Sequence, residues 1–324
     1  MRLATPSLHY ITAGTYSNIC WLPYSKFCII LEDSEKIKHH TPLDHLFITS
    51  QHGVTTQQPL PTSLSLLKGH KFLEGVVVAF CQTEENIYFC LSNKTITKIN
   101  KSFASQPSGI ELSGNIEAFN IYKGRIYTLE EIHGRDFLRV YDMSGERKIE
   151  KDFSFPNNDS IFKTLAIQND QIILPAKKSG QLCIYSLDGD LVRSIPCPLL
   201  KSHRTNAYVD VLPCGDDSVI VCNSSKNEIW KVKLTTGEIL WPCSEINTSK
   251  PIKLTLCGFQ YILVAKDYSK TLAVLNLKTG DVVTELDVEW SDGKDYRFNI
   301  QCFDNTLVVT NFGSSHVGFF RINI

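Results

Sequence analysis

From Asn206 to Trp241 the chain reads NAYVDVLPCGDDSVIVCNSSKNEIWKVKLTTGEILW. Four short runs stand out in it: 208–212, 218–222, 228–232 and 239–241. Each is rich in β-branched and aromatic residues. They are separated by Pro-Cys-Gly-Asp-Asp, Asn-Ser-Ser-Lys-Asn and Thr-Thr-Gly. Short apolar runs punctuated by turn residues are the mark of consecutive strands, and no stretch here keeps a helical 3.6 period. The stretch therefore predicts four antiparallel strands joined by tight turns.

Its last hairpin recurs along the chain. LRVYDMSGERKI begins at Leu138, LCIYSLDGDLVRSI at Leu182, IWKVKLTTGEILW at Ile229 and LAVLNLKTGDVVTEL at Leu272. The turn glycines Gly145, Gly189, Gly237 and Gly280 follow one another at intervals of roughly 40–50 residues, the length of a four-stranded propeller blade. Glycine suits each turn because tight hairpins require a positive φ. Downstream come FNIQCF from Phe298, NTLVVT from Asn305 and HVGFFRINI from His316. Upstream, GVVVAF from Gly75, NIYFCL from Asn86 and TITKIN from Thr95 make another unit, with its turn near 101–103. NICWL from Asn18, KFCIIL from Lys26 and DHLFIT from Asp44 make a looser first one that ends at Gly53.

The expectation is an all-β, seven-bladed β-propeller built as a single domain over 1–324. The last unit is one strand short. SLHYITAG from Ser7 is predicted to supply that strand, so that both ends of the chain share a blade and no edge stays open. Six blades is the alternative, because the first unit is irregular and carries the polar insertion EDSEKIKHHTPLDH from Glu32.

At LRVYDMSGE and LCIYSLDGD the chain resembles the β-propeller repeat families, NHL-like repeats in particular; IWKVKLTTGE and LAVLNLKTGD match them more loosely. The resemblance covers the chain from about Val76 onward. Gly69-His70 before a strand is similar to one mark of WD40 repeats, but no Trp-Asp dipeptide follows, which makes any kinship with them a divergent one. The run from Thr236 to Trp241 is similar to a quinoprotein blade turn in that unit alone, and no quinone is implied. What the resemblance implies is an interaction scaffold. NHL-like propellers also suggest RNA binding, and calcium-dependent propeller hydrolases or lactonases suggest an axial cation.

Composition narrows these readings. The formal net charge is −1, so no overall basic field recruits nucleic acid or an anionic membrane. No apolar run is long enough to cross a bilayer, and the N-terminus lacks the apolar core of a signal peptide. The 11 cysteines are odd in number, form no Cys-x-x-Cys and fall mostly within strands. They read as small buried hydrophobes in a reduced, cytoplasmic protein. The sequons at Asn93, Asn158, Asn223 and Asn247 are then chance matches.

Catalytic motifs are missing from the sequence: there is no Gly-x-Ser-x-Gly elbow and no phosphate-cradling glycine loop. His39, His40, Asp44 and His45 share one loop, but adjacent histidines without partners at helical spacing do not make a zinc site. Asn18, Asn115, Asn206 and Asn299 stand near the starts of inner strands, with Glu117 and Asp210 close by. Oxygen ligands of this kind suit calcium, yet too few of them are charged, and no metal or cofactor is expected.

The loops joining the second and third strands of each blade, with those between blades, share one face of a propeller. Lys177, Lys178, Lys226, Lys266 and Lys270 fall in the first set, and His203, Arg204 and Arg297 in the second. The opposite sector, with Glu32, Glu35, Glu130 and Glu131, is more acidic. Tyr268, Trp290 and Tyr296 are candidate aromatic anchors. The expected function is non-enzymatic binding of a protein partner on this face.

Overall fold

The computed structural model describes residues 59–323 apart from 73–74, 84, 101–102, 134, 153–163, 202–206, 244–249, 290–296 and 304, together with three short strands nearer the N-terminus. The chain divides into two units, Met1–Gln57 and Gln58–Ile324. In the first, Tyr10–Ala13, Tyr16–Trp21 and Cys28–Leu31 form a three-stranded antiparallel sheet.

The second unit is a propeller of six four-stranded sheets. The first blade runs from Val77–Gln82 to Ser105–Glu111, the second from Asn115–Tyr122 to Arg147–Asp152, and the third from Ala166–Gln168 to Leu191–Pro196. The fourth runs from Val209–Pro213 to Ile239–Cys243 and the fifth from Pro251–Cys257 to Val282–Asp287. The sixth has Phe298–Phe303, Thr306–Asn311 and His316–Asn323, and is completed by Ser63–Lys71. Each blade's first strand neighbours that of the next, and Phe298–Phe303 returns beside Val77–Gln82 to close the ring.

Two expectations are corrected. The propeller has six blades, not seven: among the described residues the strands at Tyr16–Trp21 and Cys28–Leu31 pair with each other and with Tyr10–Ala13 in a separate sheet. DHLFIT from Asp44 lies outside the described residues. The closing strand is Ser63–Lys71, which runs antiparallel to His316–Asn323 from Ser63↔Asn323 to Lys71↔His316. Tyr10–Ala13 pairs instead with Tyr16–Trp21. An outermost strand needs no apolar face, and SLSLLKGHK is exposed over most of its length. Its alternation was therefore too faint to read as a strand.

Six buried clusters hold the ring, each formed between neighbouring blades. Leu263, Leu272, Phe298 and Phe320 pack between the fifth and sixth, while Phe80, Phe89, Val308 and Phe319 pack between the first and sixth. The recurrent turn glycine also works between blades. A Cβ on Gly280 would lie 2.5 Å from Trp241 of the fourth blade, and one on Gly237 would lie 2.8 Å from Ile195 of the third. The turns of the second to fifth blades thus nest on the outer strand of the blade before them, and a side chain there would force the two apart. All nine described cysteines are buried. Burial pushes the Cys90 thiol up to about 12 and the Cys197 thiol up to about 11.

A candidate binding face and axial cavity

Strand pairing puts the start of each first strand beside the end of the second, as in Val77↔Leu91, Val209↔Asn223 and Phe298↔Asn311. The second-to-third turns and the connections between blades therefore emerge together, and the glycine turns emerge at the other end. An axial cavity of about 720 Å³ lies at the first of these ends, lined by residues from all six blades.

The cavity wall is divided. Val78, Ala79 and Phe80 of the first blade, with Ala118 and Phe119 of the second, form an apolar side. Thr164, Asp210, Lys253 and Asn299 face it from the third to sixth blades, and Glu117 interrupts the apolar side. Asp210 is buried and held by three donors: Oδ1 accepts from Thr164 Oγ1 at 3.0 Å and Lys253 Nζ at 2.8 Å, while Oδ2 accepts from the Leu254 N–H at 2.9 Å. One carboxylate so fastens the third, fourth and fifth blades.

An aromatic and cationic cluster stands at the mouth. Arg297 enters the sixth blade and donates through Nη1 to the Tyr208 hydroxyl at 3.1 Å and through Nη2 to the Tyr268 hydroxyl. Its Nε lies 3.3 Å from Asp267 Oδ1, and its guanidinium carbon is 4.7 Å from the Tyr268 ring centre. Burial works against the Arg297 charge, but the tyrosine partners prevail and hold its pKa above the ordinary value. Phe312 packs on Tyr208 with ring centres 5.9 Å apart. Tyr268 is 60% exposed and Phe312 40%. Tyr268 has φ +56, a left-handed conformation unusual for a tyrosine and braced here by the Arg297 contacts.

The expected site residues fare unequally. Lys177, Lys178, Lys226, Tyr268, Lys270 and Arg297 all come to this end of the propeller. Lys226 is stapled, with Nζ donating to the Pro198 carbonyl at 2.6 Å. Lys266 is buried and bound to Glu285 Oε1 at 2.5 Å, which ties the second strand of the fifth blade to its outer strand. His203, Arg204, Trp290 and Tyr296 lie outside the described residues, as do His39, His40, Asp44 and His45.

Glu130 was expected in an acidic loop but is fully buried. Its Oε1 accepts from Thr128 Oγ1 and the Tyr141 hydroxyl, and its Oε2 from the Gly114 N–H and Arg139 Nη1, at 2.7–2.8 Å. Of the four asparagines read as possible axial ligands, Asn299 lines the cavity and Asn115 is exposed. Nothing is described of the other two side chains. The Lys253 ammonium occupies the carboxylate that such a cation would need. Among the described residues no three His, Cys, Asp or Glu side chains are grouped to hold a metal ion.

Sequence reasoning missed Tyr208, Lys253 and Phe312. A signal existed for the wall: Glu117, Asp210, Lys253 and Asn299 are polar residues at the second or third position of their first strands. All four line the cavity, and Asp210 also ties its blade to both neighbours.

No family model and no curated protein matches the sequence. Solved structures match the fold. The structure described as streptogramin B lyase aligns with a TM-score of 0.56 at 12% identity, over 81% of this chain and 88% of that one. The Cps50 (Swd1) β-propeller domain of Myceliophteria thermophila also gives 0.56, at 9% identity, over 80% of this chain and all of that one. At such identities the likeness establishes the propeller fold and leaves the activity open.

Proposed function

Taking the propeller fold as its premise, we propose that this chain is an interaction module that docks a protein partner on the face surrounding the axial mouth. The observation that carries this reading is the braced pair of exposed rings, Tyr268 and Phe312, held by Arg297 and Tyr208. Rigid aromatic groups that already stand in place lose little entropy on binding and are common interface anchors. Lys178 and Lys270 are exposed at the same end and favour a partner with an acidic rim.

The test compares binders captured from lysate by the wild-type chain, by a Tyr268→Ala, Phe312→Ala double variant, and by Val192→Ser as a control. Val192 is 53% exposed on the outer strand of the third blade. Proteins enriched by the wild type and the control should fall at least about ten-fold with the double variant, as expected for loss of an anchor. Equal capture by all three would remove the face from consideration.

A further inference from the structure

Among the described residues that line the axial cavity, two carry each sign of charge: Glu117 and Asp210, Lys177 and Lys253. Glu117 belongs to the second blade and Lys253 to the fifth, and in a closed ring of six these blades stand opposite each other. A guest carrying only one sign of charge would meet as much repulsion as attraction. A guest with opposite charges at its two ends matches both walls. Lys253 keeps capacity after pairing with Asp210, since an ammonium has three donors and the carboxylate takes one. A carboxylate such as Glu117 has about four acceptor sites, so it can take a further donor beside its existing interaction.

The apolar side flanks Glu117, where Val78 and Phe80 of the first blade and Phe119 of the second line the cavity for a hydrophobic group. The volume of about 720 Å³ falls within the roughly 300–1,000 Å³ usual for small-molecule sites. It has room for more than a single amino acid.

We propose that the axial cavity binds a short zwitterionic peptide, with its ammonium at Glu117, its carboxylate at Lys253 and an apolar side chain against Val78, Phe80 and Phe119. This goes beyond the partner-docking reading: of its two anchor rings, Phe312 lines the cavity at the mouth and Tyr268 does not line it.

Calorimetric titration of the full chain with the dipeptide Leu-Phe tests it, beside an N-acetylated form that keeps only the carboxylate and a C-amidated form that keeps only the ammonium. Leu-Phe should bind at one saturable site, and each blocked form at least about ten-fold more weakly, the cost of one lost charge-assisted hydrogen bond. Glu117→Gln should lower Leu-Phe to the affinity of the acetylated form and leave that form's own affinity unchanged. Val192→Ser, on the outer strand of the third blade, should leave peptide binding intact, and the titration is read independently of the capture experiment that decides the partner-docking reading. The comparison of the three ligands uses the wild-type chain and so does not depend on how any variant folds. Absence of saturable Leu-Phe binding, or a blocked form that binds as tightly as the free dipeptide, overturns the proposal.

Discussion

Lys253 Nζ lies 2.8 Å from Asp210 Oδ1, and the pair joins the first strands of the fourth and fifth blades at the cavity wall. The carboxylate is 4% exposed and the lysine side chain 32%, so the acid is the member that cannot retreat into water. Asp210→Ala would orphan Thr164 Oγ1 and the Leu254 N–H in a buried setting. Each such loss costs about 1–3 kcal/mol, and the freed lysine can turn outward, so we expect about 2–4 kcal/mol of lost stability. Lys253→Met should cost as much or more, because it strands the carboxylate. Urea unfolding of both variants checks the ranking; an Asp210→Ala loss below about 1 kcal/mol would show that the three-blade tie is not formed.

Gly280 carries the same logic to the rim. It has φ +80, and its turn lies against the Trp241 ring, whose Nε1 donates to the Leu277 carbonyl at 3.2 Å. Gly280→Ala adds a left-handed alanine and a Cβ inside the indole's contact distance, together about 2–4 kcal/mol. Gly124→Ala is the matched comparison, since Gly124 has φ +69 with nothing within 4 Å of its added Cβ. It should cost only the backbone component, about 1–2 kcal/mol. Equal thermal shifts for the two would mean that the interblade contact contributes nothing.

That contact explains how much of the fold was legible. The glycine repeat reports a hairpin and also the seat of one blade on the next, and both needs recur from the second blade to the fifth, so the period survived in the sequence. The strands of the fourth blade, expected over 208–212, 218–222, 228–232 and 239–241, lie at Val209–Pro213, Ser218–Asn223, Glu228–Lys233 and Ile239–Cys243. Closure was illegible because Ser63–Lys71 lies at an exposed edge and obeys no burial pattern. At the site, residues on the turns were visible from charge, but Lys226, though exposed, is tied to a carbonyl, and Lys266 is buried against Glu285. Burial of a long side chain depends on which carbonyl or carboxylate the tertiary structure brings within reach, and local pattern does not carry that.

The buried Glu130 network makes a third prediction. Glu130 is fully buried and Arg139 nearly so, and the arginine extends through Nε and Nη2 to Glu150 at 3.0 and 2.9 Å. Glu130→Gln replaces an acceptor oxygen with a donor facing other donors and leaves Arg139 short of charge. We expect a loss of about 3–5 kcal/mol. A Cβ at Gly114 would lie 2.4 Å from Glu130 Oε2, so Gly114→Ala disrupts the same network from the backbone side. The double variant should cost clearly less than the sum of the two, since each removes interactions the other shares. Additive losses in denaturant unfolding would mean that the glycine and the glutamate act separately.

The pair between Lys266 and Glu285 gives a pH dependence. Partial burial works against the Glu285 charge, but the ammonium of Lys266 and the Thr271 hydroxyl, which donates to Oε2 at 2.8 Å, prevail and hold its carboxyl below the usual 4.5. A carboxyl whose folded pKa is depressed binds its proton less readily in the native state than in the unfolded chain. Its stabilising contribution is therefore full above about pH 4.5 and is lost as pH falls through the lower folded value. Half of the glutamate side chain is exposed, so solvent screening keeps the effect modest. Glu285→Gln should lower stability relative to wild type at pH 7, and the gap should narrow steadily below pH 4.5. Unfolding midpoints of both proteins between neutral and strongly acidic pH measure it. A gap that stays constant across this range would assign the pair's role to packing instead of charge.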